Sequence, residues 1–381
     1  MNFSTMATVA SDGGGLVPIA SDKYVRELDG IRAVAIGFVV CAHYRLLPLV
    51  PGGFGVTLFF FLSGYLITTL FFSEYHLSNG IDIFRFYLRR WIRLTPPLLI
   101  MILVAVVFYR ITRVFVDGTP VPTGTIMAAL LYYTNYYDLA WGMSDNKVIP
   151  FGPCWSLAVE EHFYLLWPLI IKFNINNPRK LLSIIVLACL TILLWRAVAH
   201  WGLSVSTDYT GIATDTRIDS ILYGALLRVL FETPWKIAVV NILRMRVIRI
   251  IGICIIMAAF VIRNDGFRET VRYSLQGIAL MPLFTAILTD RPDTLVRRIL
   301  ASPAMVLVGR LSYSIYLFHL ISRTPAEVIF GSPYRIESVV SGLLITMSAS
   351  YLMLVFVERP LGRLRHRLRR EQGAPSPILV E

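Results

Sequence analysis

The sequence predicts an all-α fold, a polytopic membrane helix bundle of about ten transmembrane helices with both termini cytoplasmic. Three observations carry this. Of 381 residues, 56% are apolar and only 16% charged, against about 25% charged in ordinary soluble domains. The apolar residues come in long runs such as Leu98 to Phe108, Leu181 to Leu194 and Ser341 to Val357, too continuous for half-exposed helices. The basic residues fall between those runs, as Lys and Arg do on cytoplasmic loops.

A bilayer core of about 30 Å takes roughly 20 mostly apolar residues per helix. Placing the basic clusters Arg85–Arg93, Arg179–Lys180, Lys236–Arg249 and Arg291–Arg298 on one side threads the chain as ten spans, near 31–50, 53–73, 94–112, 154–173, 181–199, 217–233, 246–262, 271–289, 303–323 and 336–357. The segment Thr125 to Trp141 then does not span. Its Tyr132-Tyr133-Thr134-Asn135-Tyr136-Tyr137 stretch suits the membrane interface. The competing reading makes it an eleventh helix and places the C-terminal tail outside. Residues 1–22, small and Gly-rich, read as a disordered leader, 23–360 as one membrane domain, and 361–381 as a basic cytoplasmic tail. The net charge of +12 is spread over membrane flanks, so no nucleic-acid partner is expected; the bilayer is the partner. Cys41, Cys154, Cys189 and Cys254 lack metal-type spacing, so neither a metal site nor a disulfide is expected.

Ionisable residues inside spans are costly and mark cavities or partners. On the first span, Arg32 and His43 lie eleven residues apart, on one helical face and roughly 16 Å apart along the axis. On the fourth, Trp155-Ser156-Leu157-Ala158-Val159-Glu160-Glu161-His162 carries two carboxylates whose directions differ by about 100°, so one faces a cavity and the other a neighbouring helix. The sixth opens with Asp215-Thr216-Arg217-Ile218-Asp219, in which Asp215 reads as a cap with an internal ion pair. On the ninth, Ser312, Tyr316 and His319 share a face, which suits either a polar helix seam or a site. A histidine with a carboxylate partner is suited to general-base work. Arg89, Arg90 and Arg93 precede the third span as a lipid anchor or a phosphate site. Gly52-Gly53-Phe54-Gly55 reads as a tight turn, and Ser63-Gly64 as a place of close approach near mid-bilayer.

In order along the chain, Arg32 with His43, the Gly-rich segment with Phe61-Leu62-Ser63-Gly64-Tyr65, Arg89-Arg90-x-x-Arg93, Trp155-Ser156-Leu157-x-Val159-Glu160-Glu161, Arg217 with Asp219, and Ser312-Tyr313 leading to His319 resemble the acyltransferase 3 family of bacterial membrane proteins. The resemblance implies a ten-helix enzyme of the inner (cytoplasmic) membrane, transferring groups other than aminoacyl groups. Its co-substrate would be acetyl-CoA or another acyl-CoA, with no cofactor bound permanently, and its acceptor a hydroxyl of a cell-surface or exported carbohydrate. It makes His43 the catalytic residue, with Glu160 and Glu161 beside it. Arg32, Ser63, Arg89, Arg90 and Arg93 fall on the donor side; Trp155, Arg217, Asp219, Tyr316 and His319 fall on the acceptor side. Thr57 and His162 depart from the family pattern, which bears on substrate contacts. A transporter or flippase would also line a polar path with buried charge, but no internal repeat or matched pair of interrupted helices is visible. A cytoplasmic small-molecule acceptor such as a macrolide is the other alternative.

Overall fold

The computed structural model describes residues 8–10, 16–18, 24–46, 51–112, 123–141, 151–332 and 335–363. Most of the leader and the tail from Leu364 onward lie outside them, apart from Thr8–Ala10 and Leu16–Pro18, which pair antiparallel. Everything else of regular structure is helical. The first half contains α1 (Arg26–His43), α2 (Gly52–Ser78), α3 (Ile83–Thr112), α4 (Thr123–Leu130), α5 (Thr134–Trp141), α6 (Cys154–Asn174) and α7 (Pro178–Ala197). Then come α8 (Thr207–Ile212), α9 (Thr214–Arg217), α10 (Asp219–Leu230), α11 (Lys236–Arg244) and α12 (Arg246–Val261). The chain continues with α13 (Arg272–Thr289), α14 (Leu295–Leu300), α15 (Pro303–Phe330) and α16 (Ile336–Met353). π-Helical turns, Val198–Gly202, Phe267–Val271 and Leu354–Glu358, extend α7, precede α13 and follow α16.

The boundaries follow local chemistry. Asn177 caps α7 by accepting from the Lys180 amide, with Pro178 in the first turn, where its missing N–H is harmless. Asn79 ends α2 and Gly331 ends α15 in the left-handed region, at φ 53° and 75°.

Six helical stretches are long and apolar enough to cross a membrane: those of α2, α3, α7, α13, α15 and α16. The other four expected spans coincide with α1, α6, α10 and α12, which are helical but shorter or more polar. The segment Thr125 to Trp141 divides into α4 and α5, each eight residues long and too short to cross an apolar core of about 30 Å.

Between helices in lipid, apolar surface gives little drive to associate, and small residues that let backbones touch become decisive. A Cβ on Gly64 of α2 would sit 1.9 Å from the Ile221 carbonyl oxygen of α10, and one on Gly224 of α10 would sit 1.8 Å from that of Phe61. The α1–α15 crossing is built the same way: a Cβ on Gly309 would meet the Asp29 carbonyl at 1.9 Å. The glycines at 52–55 do not form a tight turn. They are the first turn of α2, and a Cβ on Gly52 would lie 2.7 Å from the Ala42 Cβ of α1. Gly52 and Gly55 are therefore explained by helix contact rather than by unusual φ, whereas a Cβ on Gly53 would lie in open space.

Gly64→Ala and Gly224→Ala are each predicted to lower stability by about 1–3 kcal/mol through overpacking. Gly37→Ala, with nothing within 4 Å of its added Cβ, is predicted to be neutral or mildly stabilising. Thermal unfolding in detergent checks this, and equal effects at all three positions would contradict it.

Candidate functional site

α1 and α15 clasp each other at the end of the bundle where α1 stops. Arg323 of α15 donates to the His43 carbonyl at 2.8 Å, and the Tyr44 hydroxyl donates to the His319 carbonyl at 2.9 Å. Between these two bonds, His43 Nδ1 lies 2.9 Å from His319 Nε2, and His319 Nδ1 lies 2.7 Å from the Tyr316 carbonyl oxygen. A carbonyl only accepts, so His319 carries its proton on Nδ1, and its Nε2 is a lone pair. That lone pair takes the Nδ1 proton of His43. Neutral His43 is thereby left with an unprotonated Nε2, the form a general base requires. His319 is fully buried, whereas His43 is exposed. The partner of His43 is thus an imidazole, not the carboxylate expected from the sequence.

At the opposite end, where α1 begins, a cavity of about 410 Å³ is lined by Arg32, Arg93, Arg310, Arg359 and Arg363, with Glu358 the acidic member. Asp29 lies 3.7 Å from both Arg32 and Arg310 and accepts from Tyr24. Arg32, Arg93, Ser312 and Tyr313 also line a second, narrow cavity of about 70 Å³ that runs into the bundle between α2, α6 and α15. Its walls include Val56, Phe59, Leu62 and Leu66. Its main polar group is Glu160, which accepts from Ser63 Oγ at 2.8 Å and from the Tyr164 hydroxyl at 3.3 Å. Arg90 lies over the Tyr164 ring, 4.2 Å from its centroid. The cavity reaches Ser156 and Tyr316, whose hydroxyls are 2.6 Å apart. Tyr316 is the residue whose carbonyl holds His319, so the cavity ends one helical turn from the imidazole pair. An arginine-lined mouth, a narrow apolar channel and an oriented base therefore follow one another along the bundle.

A family model described as an acyltransferase domain matches residues 25–356. The chain belongs to the acyltransferase 3 family. Among relatives, an O-acetyltransferase OatA of Staphylococcus aureus is 29% identical over 360 residues, covering 90% of this chain and 58% of that protein. The peptidoglycan O-acetyltransferase OatA of Listeria monocytogenes is 29% identical over 358 residues, covering 90% of this chain and 56% of that protein. The chain thus spans a little over half the length of these relatives. No solved structure matches it.

Several residues carrying the acyltransferase 3 resemblance have other surroundings than expected. Arg89 turns away from the cavity to Glu74, 3.3 Å away. Glu161 also lies off the cavity, and its buried Oε1 has no hydrogen-bond partner among the described residues. Asp215 makes no ion pair among the described residues; it accepts from Tyr136 at 2.8 Å, Trp195 at 2.6 Å and Tyr209 at 2.5 Å. Burial, then Asp215, pushes the Tyr209 hydroxyl up to about 12, and burial pushes Asp138 up to about 7. Of the two departures from the family pattern, Thr57 lies 3.4 Å from both Gln276 Oε1 and Arg217, and His162 Nδ1 lies 2.7 Å from Thr214 Oγ1. Arg217 is buried against the Tyr273 ring, 3.6 Å from its centroid, and 5.6 Å from that of Trp155.

Asp219, which the resemblance puts on the acceptor side, lies in a helix seam. Arg196 grips it through two bonds of 2.8 and 2.7 Å, and both side chains are fully buried. Arg196 closes the α7–α10–α13 contact by also reaching the Thr216 and Thr270 carbonyls and Ser274. An isolated Arg ending an apolar run reads as a snorkelling side chain, which is why its role was not visible. Asp219→Asn is predicted to destabilise by about 3–5 kcal/mol, the cost of leaving a buried charge unpaired. Expression and unfolding temperature should fall together. A well-folded Asp219→Asn protein that has lost only activity would return Asp219 to the acceptor site.

Proposed function

We propose that the chain is an integral-membrane O-acyltransferase, in the first instance an O-acetyltransferase. It would take the acyl group from a cytoplasmic acyl-CoA and deliver it to a carbohydrate hydroxyl at the opposite face of the inner membrane. The observation that carries this reading is the chain of hydrogen bonds from the Tyr316 carbonyl through His319 to His43, because it fixes the tautomer that leaves His43 Nε2 basic. The arginines of the mouth suit the phosphates of coenzyme A, which Arg can grip in bidentate fashion. The narrow channel, with Glu160 and Ser63 on its wall, suits the uncharged thioester arm. The names of the relatives, O-acetyltransferases and in one case a peptidoglycan O-acetyltransferase, support the same acceptor class.

In the proposed reaction, an acceptor hydroxyl oxygen attacks the thioester carbonyl carbon while His43 Nε2 removes the hydroxyl proton. The new C–O bond forms as the C–S bond breaks. Coenzyme A leaves as thiolate and is protonated from the imidazolium. His319 acts as a positioning residue: as positive charge develops on His43, the Tyr316 carbonyl stabilises it through the intervening ring.

His43→Ala is predicted to fold and to bind acyl-CoA yet lose at least about 100-fold in transfer, the scale of general-base assistance. His319→Ala should lower kcat by at least about ten-fold, as loss of an orienting partner does. It should also shift the pH–rate profile, which a packing residue would not do. Acyl transfer measured with purified protein checks both, and near-normal turnover by well-folded His43→Ala would remove His43 from the mechanism.

A further inference from the structure

A third cavity, of about 280 Å³, opens at the same end of the bundle as His43, and the reaction described above makes no use of it. Its floor is the start of α2, Gly52 to Phe54, and its far wall is Tyr273 and Gln276 of α13. Three arginines converge on it: Arg263 from the α12–α13 connection, Arg268 from the π-helical turn and Arg272 from the start of α13. Arg268 and Arg272, four residues apart, lie on one helical face, and the connection after α12 brings Arg263 to the same recess.

The charge there is poorly neutralised. Arg268 has one acidic neighbour, Asp265, at 3.6 Å, and that carboxylate is 73% exposed, a pair of little strength. Glu269, the only other acidic side chain in the segment, is buried and accepts from Thr210 instead. Arg263 and Arg272 have no carboxylate within ion-pair distance among the described residues. Arg272 donates to the Tyr273 hydroxyl at 2.9 Å, and its Nε is buried with no partner among the described residues. Guanidinium groups with so little carboxylate about them, over a polar recess, meet the geometric demand of a tetrahedral oxyanion, which several forks can hold at once.

The recess is also connected to residues already placed near the acceptor. Gln276 lies on Thr57, Thr57 on Arg217, and Arg217 and Arg272 both lie over the Tyr273 ring. We infer that Arg263, Arg268 and Arg272 form a binding site for a phosphate ester at the acceptor end of the bundle. The ester could be carried by a phosphorylated carbohydrate or by a lipid headgroup. This inference rests on the proposed direction of transfer only for its biological meaning; the site itself does not depend on that reading.

The test uses full-length protein in dodecyl maltoside with N-acetylglucosamine 1-phosphate as probe, N-acetylglucosamine as neutral control, and coenzyme A saturating to occupy the mouth. The phosphorylated sugar is expected to bind at least about ten-fold more tightly than the neutral one, the scale of one or more charge-assisted contacts. Arg263→Gln/Arg268→Gln should abolish that preference while coenzyme A binding stays intact. Arg272, which lies over the Tyr273 ring, is left in place, so the double variant tests the site without disturbing Tyr273. Displacement of the probe by short-chain phosphatidylglycerol would identify the lipid headgroup as a ligand; its absence would leave the carbohydrate ester. A preference that is missing, or that survives the double substitution, overturns the site. Failure of coenzyme A to bind would instead count against the proposed function, since the probe is scored separately.

Discussion

The bundle depends on backbone contact between helices at glycine. In a bilayer the hydrophobic effect places helices in lipid but does not choose their neighbours. At Gly64 and Gly224 the α2 and α10 backbones touch, and at Gly309 the α1 and α15 backbones do the same. The second crossing matters most for chemistry. It fixes α1 on α15 near the arginine mouth, and the Arg323–His43 and Tyr44–His319 bonds fix the same two helices at the other end. With both ends held, the two imidazoles have little freedom to separate. Hydrogen-bond direction then does the rest, because a backbone carbonyl that can only accept decides the tautomer of both rings.

The distribution of charge follows a matching logic. Cations that would be costly in lipid gather at the two ends of the bundle, while the middle of the channel holds one carboxylate, Glu160, bonded to Ser63 and Tyr164. The fully buried Arg196–Asp219 pair serves a different purpose. It satisfies carbonyls and a hydroxyl from three helices, so its value lies in arrangement rather than in net stability, which buried pairs rarely supply. Two buried ionic features of similar appearance thus separate by their surroundings: one lines a cavity, the other fills a seam.

The sequence made some of this legible. Arg32 lines the mouth near the start of α1, and His43 ends that helix at the far end. Ser63, Arg90 and Arg93, read as donor-side, Glu160, read as catalytic, and Tyr316, read as acceptor-side, line one channel. Helix positions were legible because runs of apolar residues between basic clusters leave little freedom. What escaped was whatever depends on pairing between distant segments. His319 is 276 positions from His43, and no local pattern announces that the two rings meet. Arg196 is a single cation at a helix end, indistinguishable in sequence from an interfacial anchor. The glycines at the start of α2 look like a turn because a turn and a close helix contact call for the same residue.

Whether His319 holds His43 in the tautomer with Nε2 free is read directly by nitrogen NMR of protein labelled with ¹⁵N-histidine. The chain has six histidines, so the resonances can be assigned by single substitutions. At neutral pH a proton is expected on Nδ1 and none on Nε2 of His43, with a coupling across the bond to His319 Nε2. A proton found on His43 Nε2, or an imidazole pair with no coupling between the rings, would contradict it.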